Sequence, residues 1–261
     1  MVIIAVSDQH LGYPNSNRDQ FKAFLKDIST DQSITDLVLL GDVVDMWRRD
    51  ASGVFLENED VFDIIASLKE RIKVHYVAGN HDYHVLHLKD HKYPFDFVER
   101  LTLKEGNRTY QFEHGYRFDL AQEVPSMEAL CRTMSDSVGN FESGVWATFT
   151  AGYSDLNYFF VTLFQKRSIR KKLETLQLKP EERFANKLDD VEKSACRNVK
   201  PGEVLVFGHT HRPFINKSET VVNTGCWVND APVYNTYARL DASGSKLFIY
   251  QGNEITDRVE C

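Results

Sequence analysis

The sequence predicts an α/β fold of two packed sheets flanked by helices, with a helical cap inserted at about residues 116–200. Three observations predict it. Apolar, strand-like runs alternate with amphipathic helical stripes in the first third of the chain. Short polar clusters rich in Asp, His, Asn and Gly follow or lie near those runs. Strand signals vanish across 116–200 and return at 204.

Residues 2–6 form a short apolar run that reads as a buried first strand. Phe21, Phe24, Leu25 and Ile28 follow at i, i+3, i+4, i+7, the spacing of one helix face. Residues 37–40 make the next strand and end at Gly41-Asp42. Val61, Ile64, Ile65, Leu68 and Ile72 give a second helical stripe, and residues 74–78 a third strand ending at Gly79-Asn80. This repetition predicts parallel strands joined by crossover helices. In such sheets ligands bind outside the carboxyl ends of the strands, where these clusters fall. Residues 101–113 read as two strands about the turn Glu105-Gly106-Asn107, running into His114. Residues 204–207 lead to Gly208, and four further strand-like runs follow at 214–215, 220–222, 237–240 and 246–250.

At 261 residues and 42% apolar content the chain suits one large domain with an insertion and a sizeable core. A net charge of −7 argues against nucleic acid as a partner. The four cysteines are far apart and lack C-x-x-C spacing. That predicts neither a disulfide framework nor a structural zinc site, and points to a reducing cytoplasm. The start of the chain lacks the basic residues and long apolar stretch of a signal peptide. No run approaches the roughly 20 apolar residues of a spanning helix. Nothing in the sequence indicates an oligomeric state.

Five clusters carry the chemistry: Asp8-Gln-His10, Gly41-Asp-Val-Val-Asp45, Gly79-Asn-His-Asp82, His114-Gly115 and Gly208-His-Thr-His211. They hold five of the nine histidines. Carboxylate, amide oxygen and imidazole are the donors that suit a pair of divalent cations. Along an extended chain, alternation would aim Asp8 and His10 the same way, and likewise His209 and His211. Glycines 41, 79 and 208 would permit sharp turns and close approach to the ions. One cluster alone reads as a surface turn; five at predicted strand ends do not.

In order, these residues resemble the calcineurin-like metallophosphoesterase superfamily: D-x-H, G-D-x-x-D, G-N-H-D/E, a lone His, then G-H-x-H. The resemblance spans residues 2 to 250 and implies a four-layer α/β/β/α sandwich with a dinuclear centre. By it, one metal takes Asp8, His10 and His211, the other takes Asn80, His114 and His209, and Asp42 bridges them. His81 is the implied catalytic histidine, oriented by Asp45. Manganese is the first expectation for both ions, with iron, zinc, cobalt and nickel as alternatives. Two cations on the order of 3.5–4 Å apart would hold a bridging hydroxide for attack on phosphorus, with His81 at the leaving oxygen.

Between the motifs, Met46 after Asp45 and Asp82 at the end of the tetrad depart from the protein phosphatases. The opening Asp8-Gln-His-Leu-Gly-Tyr13 looks like the repair nucleases. Gly208-His-Thr-His-Arg-Pro213, Trp47 and the helical insert look more like the UDP-diacylglucosamine hydrolases. Asp45 stands where those usually carry Glu, and His81 where they carry Arg. The implied substrate is a phosphodiester or pyrophosphate of a small or lipid-linked nucleotide. A nuclease is the alternative within the class, and a non-catalytic binding module on the same scaffold the alternative outside it.

Residues 141–164 hold eight aromatic residues, and 165–172 five basic ones. They read either as a cap packed on the domain or as a surface for lipid headgroups, which would make the protein peripheral to a membrane. Arg48, Arg49 and Arg212 are candidate phosphate contacts, with solvated loop positions the alternative for the first two. His84 is a candidate substrate contact, while His87 and His91 read as loop residues. Asn223-Thr-Gly225 resembles the superfamily's last active-site turn, and Cys226 reads as a small buried residue.

Overall fold

The computed structural model describes residues 2–89, 95–118 and 180–261. Among the described residues, thirteen strands form two sheets. The first strands are β1 (Val2–Val6), β2 (Ile34–Leu40), β3 (Lys73–Val77) and β4 (Asp96–Val98). Then come β5 (Leu101–Glu105), β6 (Arg108–Phe112), β7 (Glu203–Phe207), β8 (Phe214–Asn216) and β9 (Val221–Asn223). The last are β10 (Thr236–Asp241), β11 (Gly244–Ile249), β12 (Glu254–Ile255) and β13 (Arg258–Val259). The seven-stranded sheet runs β12-β11-β10-β1-β2-β3-β4 and the six-stranded sheet β13-β8-β9-β7-β6-β5. Strands β1 to β4 are mutually parallel, as are β6, β7 and β9. All of β1 is buried, as expected of a strand covered on both faces.

Three apolar cores separate four layers. Helix α1 (Arg18–Thr30) buries Phe21, Phe24, Leu25 and Ile28, and α3 (Glu59–Leu68) buries Val61, Ile65 and Leu68. Both faces close on Val2, Ile4, Val6, Leu37 and Leu39. The alternate residues Ile3, Ala5, Val38 and Leu40 face Tyr110, Phe112, Val204 and Val206 of the second sheet. Beyond it, Val191 and Ala195 of α4 (Pro180–Arg197) pack on Leu205, Phe207 and Val221. This is the α/β/β/α sandwich. Short α2 (Ala51–Glu57) starts at Asp50, whose side chain accepts from the Gly53 amide.

Of the cap expected at 116–200, the described residues contain the turn Tyr116–Phe118 and helix α4. The aromatic-basic stretch 141–172 and His91 lie outside the described residues. No described helix is long and apolar enough to cross a membrane.

One expectation is overturned. Cys196 and Cys261 form a disulfide, with Cα atoms 5.7 Å apart and a sequence separation of 65. Strand β13 pairs with β8 at the sheet edge and carries Cys261 to the end of α4. Long-range pairing of this kind leaves no trace in local cysteine spacing, so the inference of a reducing compartment from that spacing loses its basis. Cys226 is a free, buried thiol, as its small size suggested.

Because the disulfide closes a long loop, Cys261→Ser should destabilise the fold by about 2–4 kcal/mol. Denaturant unfolding should show the loss in the unreduced wild type against the variant, and reductant should abolish the difference.

Candidate metal centre

Every cluster residue follows a strand whose carboxyl end faces one side of the sandwich. Asp8 and His10 follow β1, Asp42 and Asp45 follow β2, and Asn80 and His81 follow β3. His114 follows β6, and His209 and His211 follow β7. Both sheets therefore deliver ligands to one place, in the way parallel sheets present ligands.

The local backbone is not extended. Asp8 (φ 57°), His10 (46°), Asp42 (52°), His209 (69°) and His211 (58°) all adopt left-handed conformations. The expected alternation along an extended chain is thus corrected: side chains converge through successive reversals of the backbone. Such conformations cost about 1 kcal/mol or more each and persist only where neighbours over-determine them. Here the Asp8 and His10 amides donate to the carbonyls of Gly41 and Asp42, and the Trp227 amide donates to the Asp8 carbonyl.

Glycines act mainly by leaving room. A Cβ on Gly79 would collide with Asp42 Oδ1, and one on Gly208 with Ser7 and Asp8. Gly41 needs both space, against the His114 ring, and its φ of 83°.

Two triads result. Asp8, His10 and His211 offer ligand atoms within 4.8 Å of one another, as do Asp42, His114 and His209. His211 Nε2 lies 3.2 Å from Asp8 Oδ1 and 3.3 Å from His10 Nε2. His114 Nε2 lies 3.2 Å from Asp42 Oδ2 and 3.7 Å from Asp8 Oδ1, so the triads adjoin. His114 Nδ1 is 2.8 Å from the Leu40 carbonyl, to which it donates, leaving Nε2 toward the centre. The His209 ring stands 5.3 Å from that of His114.

Buried Asp8 Oδ1, Asn80 Oδ1 and His114 Nε2 find no well-directed hydrogen bond. Orphaned buried donors and acceptors are rare, and Asp8 Oδ1 and His114 Nε2, 3.7 Å apart among carboxylates and imidazoles, fit a site for divalent cations. Asn80, after β3, is one of these unpartnered groups.

Electrostatics agree. Burial favours a neutral His10, yet hydrogen bonds to Asp45 and Asp8 outweigh it and push the ring up to about 10. His114 is likewise held against burial, to about 10, by Asp42 and Asp8. His211 reaches about 9 through Asp8. Against burial, His114 and its neighbouring histidines hold Asp8 and Asp42 below the usual carboxylate range. Protons thus balance carboxylates at positions that suit metal ions.

Asp45 serves two rings. Its Oδ2 is 3.2 Å from His10 Nδ1 and its Oδ1 is 3.0 Å from His81 Nδ1. Against burial, His81 and His10 hold its carboxyl well below the usual range. Burial lowers the His81 pKa, with Asp45 and Asp42 opposing. His81 Nε2 lies 4.0 Å from Asp42 Oδ2, facing the seam between the triads.

The suggested substrate contacts fare unequally. Arg48 pairs with Asp45 and covers the Tyr13 ring at 4.5 Å, so it sits at the edge of the centre. Arg49 pairs with Glu57 instead, and Arg212 is held by Asp189 and Glu192 of α4. The His84 ring stands 4.8 Å from that of His87.

Other residues brace the centre from outside it. Glu192 also accepts from Thr210, clasping the loop that carries His209 and His211. Asn223 donates to the Gly208 carbonyl and to Thr210 in the same loop. Asp82 accepts from the Tyr76 hydroxyl and the Val43 and Gly79 amides, joining the second and third clusters. Burial, then the Asp42 charge, raise Asp82 to about 6. Asn223, within its N-x-G turn, and Asp82, at the end of the Gly79 cluster, carried a local signal, whereas Glu192 carried none.

Residues 1–213 match the calcineurin-like phosphoesterase family, and the chain belongs to that family. No curated protein sequence matches the chain significantly. Among solved structures it is similar to a dimetal phosphatase from Danio rerio at 12% identity and a TM-score of 0.48, covering 100% of this chain and 97% of that one. It is also similar to an archaeal phosphodiesterase at 14% identity and a TM-score of 0.45, covering 95% and 99%. For a Vps29 single mutant from Entamoeba histolytica the values are 16% and 0.42, covering 95% and 89%. Likenesses at this level carry no argument about function.

Gly79→Ala should keep the circular-dichroism spectrum of the fold but lower metal content toward one ion per chain or fewer, read by elemental analysis, because the added methyl displaces Asp42. Metal binding needs neutral imidazoles, and His10, His114 and His211 hold protons up to about 9–10. Binding at neutral pH should therefore release protons, and affinity should rise with pH across about 6–8. Calorimetry in buffers of different ionisation enthalpy measures the release.

Proposed function

We propose that the chain is a dinuclear metal-dependent phosphohydrolase acting on a phosphodiester or pyrophosphate. What carries the reading is the meeting of two Asp/His triads at Asp42, with His81 directed at their seam. Asp8, His10 and His211 would hold one cation; Asn80, His114 and His209 the other; Asp42 would lie between. When bound, the ions supply Lewis-acid neutralisation of phosphoryl charge and a lowered pKa for water.

The chain's own side chains supply orientation and a proton. Asp45 accepts from His81 Nδ1 and so directs Nε2 outward. Burial lowers the His81 pKa overall, against Asp45 and Asp42; when the ring is protonated, Nε2–H can donate to a departing oxygen. Burial of Asp8, Asp42 and Asp45 keeps water from screening these charges. Manganese is the metal we favour, since the donors are oxygen and imidazole with no thiolate among them; iron, zinc, cobalt and nickel suit the same donors.

For the substrate we favour a small or lipid-linked nucleotide of the UDP-diacylglucosamine type. Support comes from Trp47, from Gly208-His-Thr-His-Arg-Pro213 and from the aromatic and basic residues at 141–172. The same stretch supports contact with an anionic membrane surface.

Hydrolysis of bis-p-nitrophenyl phosphate with Mn²⁺, Co²⁺, Ni²⁺ or Zn²⁺ tests the reaction class, and a screen of UDP-sugars, cyclic nucleotides, phosphomonoesters and single-stranded DNA tests the substrate. Asp42→Ala should lose most turnover together with metal stoichiometry. Absence of turnover with all four metals would overturn the reading in favour of a binding module.

A further inference from the structure

We propose that Trp47 is a positioning residue that fixes the ring plane of His81. The inference rests on the reading of His81 as proton donor. The indole of Trp47 stacks on the imidazole, with ring centroids 4.1 Å apart and planes inclined by 24°. The His10 ring meets His81 nearly at right angles, 4.8 Å away.

Asp45 alone does not orient His81 fully. The last torsion of a histidine side chain is broad and roughly two-fold. A hydrogen bond at Nδ1 sets one point of the ring and leaves its plane free to rock. A flat surface against the ring face removes that freedom. Nε2 is then kept toward Asp42 Oδ2, at 4.0 Å, and so toward the seam of the two triads.

One turn supplies both restraints. Asp45 and Trp47 are two residues apart, and the turn is closed by the Arg48 amide donating to Asp45 Oδ1 and the Arg49 amide donating to the Asp45 carbonyl. Met46 between them points into the first apolar core. Trp47 is buried, at 7% exposure, yet belongs to none of the apolar cores formed by the described residues.

The test uses alkyl aryl phosphodiesters whose phenol leaving groups range from nitrophenol to unsubstituted phenol, with metal content measured for every variant. A general acid matters most for the poorest leaving group. His81→Ala should lose about 100-fold or more on the phenyl ester and much less on the nitrophenyl ester. Trp47→Ala should show the same trend at about 10-fold, since small misplacement of a catalytic group is costly. Trp47→Phe should restore most of the phenyl-ester rate. In the His81→Ala background, Trp47→Ala should add no further loss.

An equal loss on every ester, a full additional loss in the double variant, or loss of metal by Trp47→Ala while His81→Ala keeps it, would overturn the positioning role. If His81→Ala itself shows no dependence on leaving group, the proton-donor reading fails and this inference with it. If His81→Ala shows the dependence and Trp47→Ala does not, only this inference falls.

Discussion

Three buried carboxylates set the terms for the rest of the molecule. Asp8, Asp42 and Asp45 are essentially without solvent, and an isolated buried charge is prohibitively costly. Each must be met by cationic or hydrogen-bonding groups from elsewhere in the chain. Those groups are His10, His81, His114 and His211, which come from both sheets. The sandwich brings them together because its parallel strands end on one side. The glycines and left-handed residues then let four separate loops enter a space that ordinary backbone would fill.

The order of these costs explains why the site tolerates strain. Five candidate ligand residues sit at positive φ, among them Asp8 and His10, whose amides donate to carbonyls of another loop. Asp82 holds the loops after β2 and β3 at once. Glu192 and Asn223 hold the loop after β7 from opposite elements. Rigidity at the centre is therefore borrowed from the layers around it.

Much of this was legible in the sequence, for identifiable reasons. Strands such as β1 and β7 are continuous apolar runs, and α1 repeats its apolar residues at helical spacing, so burial writes them plainly. The candidate ligands stood out because their chemistry is rare and clustered. What escaped depends on distance in sequence or on brevity. Strands β4, β12 and β13 are too short to show a period. The bracing by Glu192 links residues 18 and 20 apart, and the disulfide joins positions 65 apart. The left-handed backbone escaped because it is imposed by neighbouring loops; Asp and His do not announce it. Trp47 was noticed as a residue, but its partner was visible only in three dimensions.

The disulfide also divides the centre topologically. The covalent ring from Cys196 to Cys261 contains His209, His211 and Asn223, whereas Asp8, His10, Asp42, Asn80 and His114 lie on the open chain before it. An unfolded but oxidised molecule keeps the first group within a closed loop of restricted dimensions, while the second explores space freely. The two portions of the ligand set thus approach assembly from denatured ensembles of different size. Residues of both portions would hold a bound cation, which would then serve as a second, reversible cross-link across the seam that the covalent one leaves open.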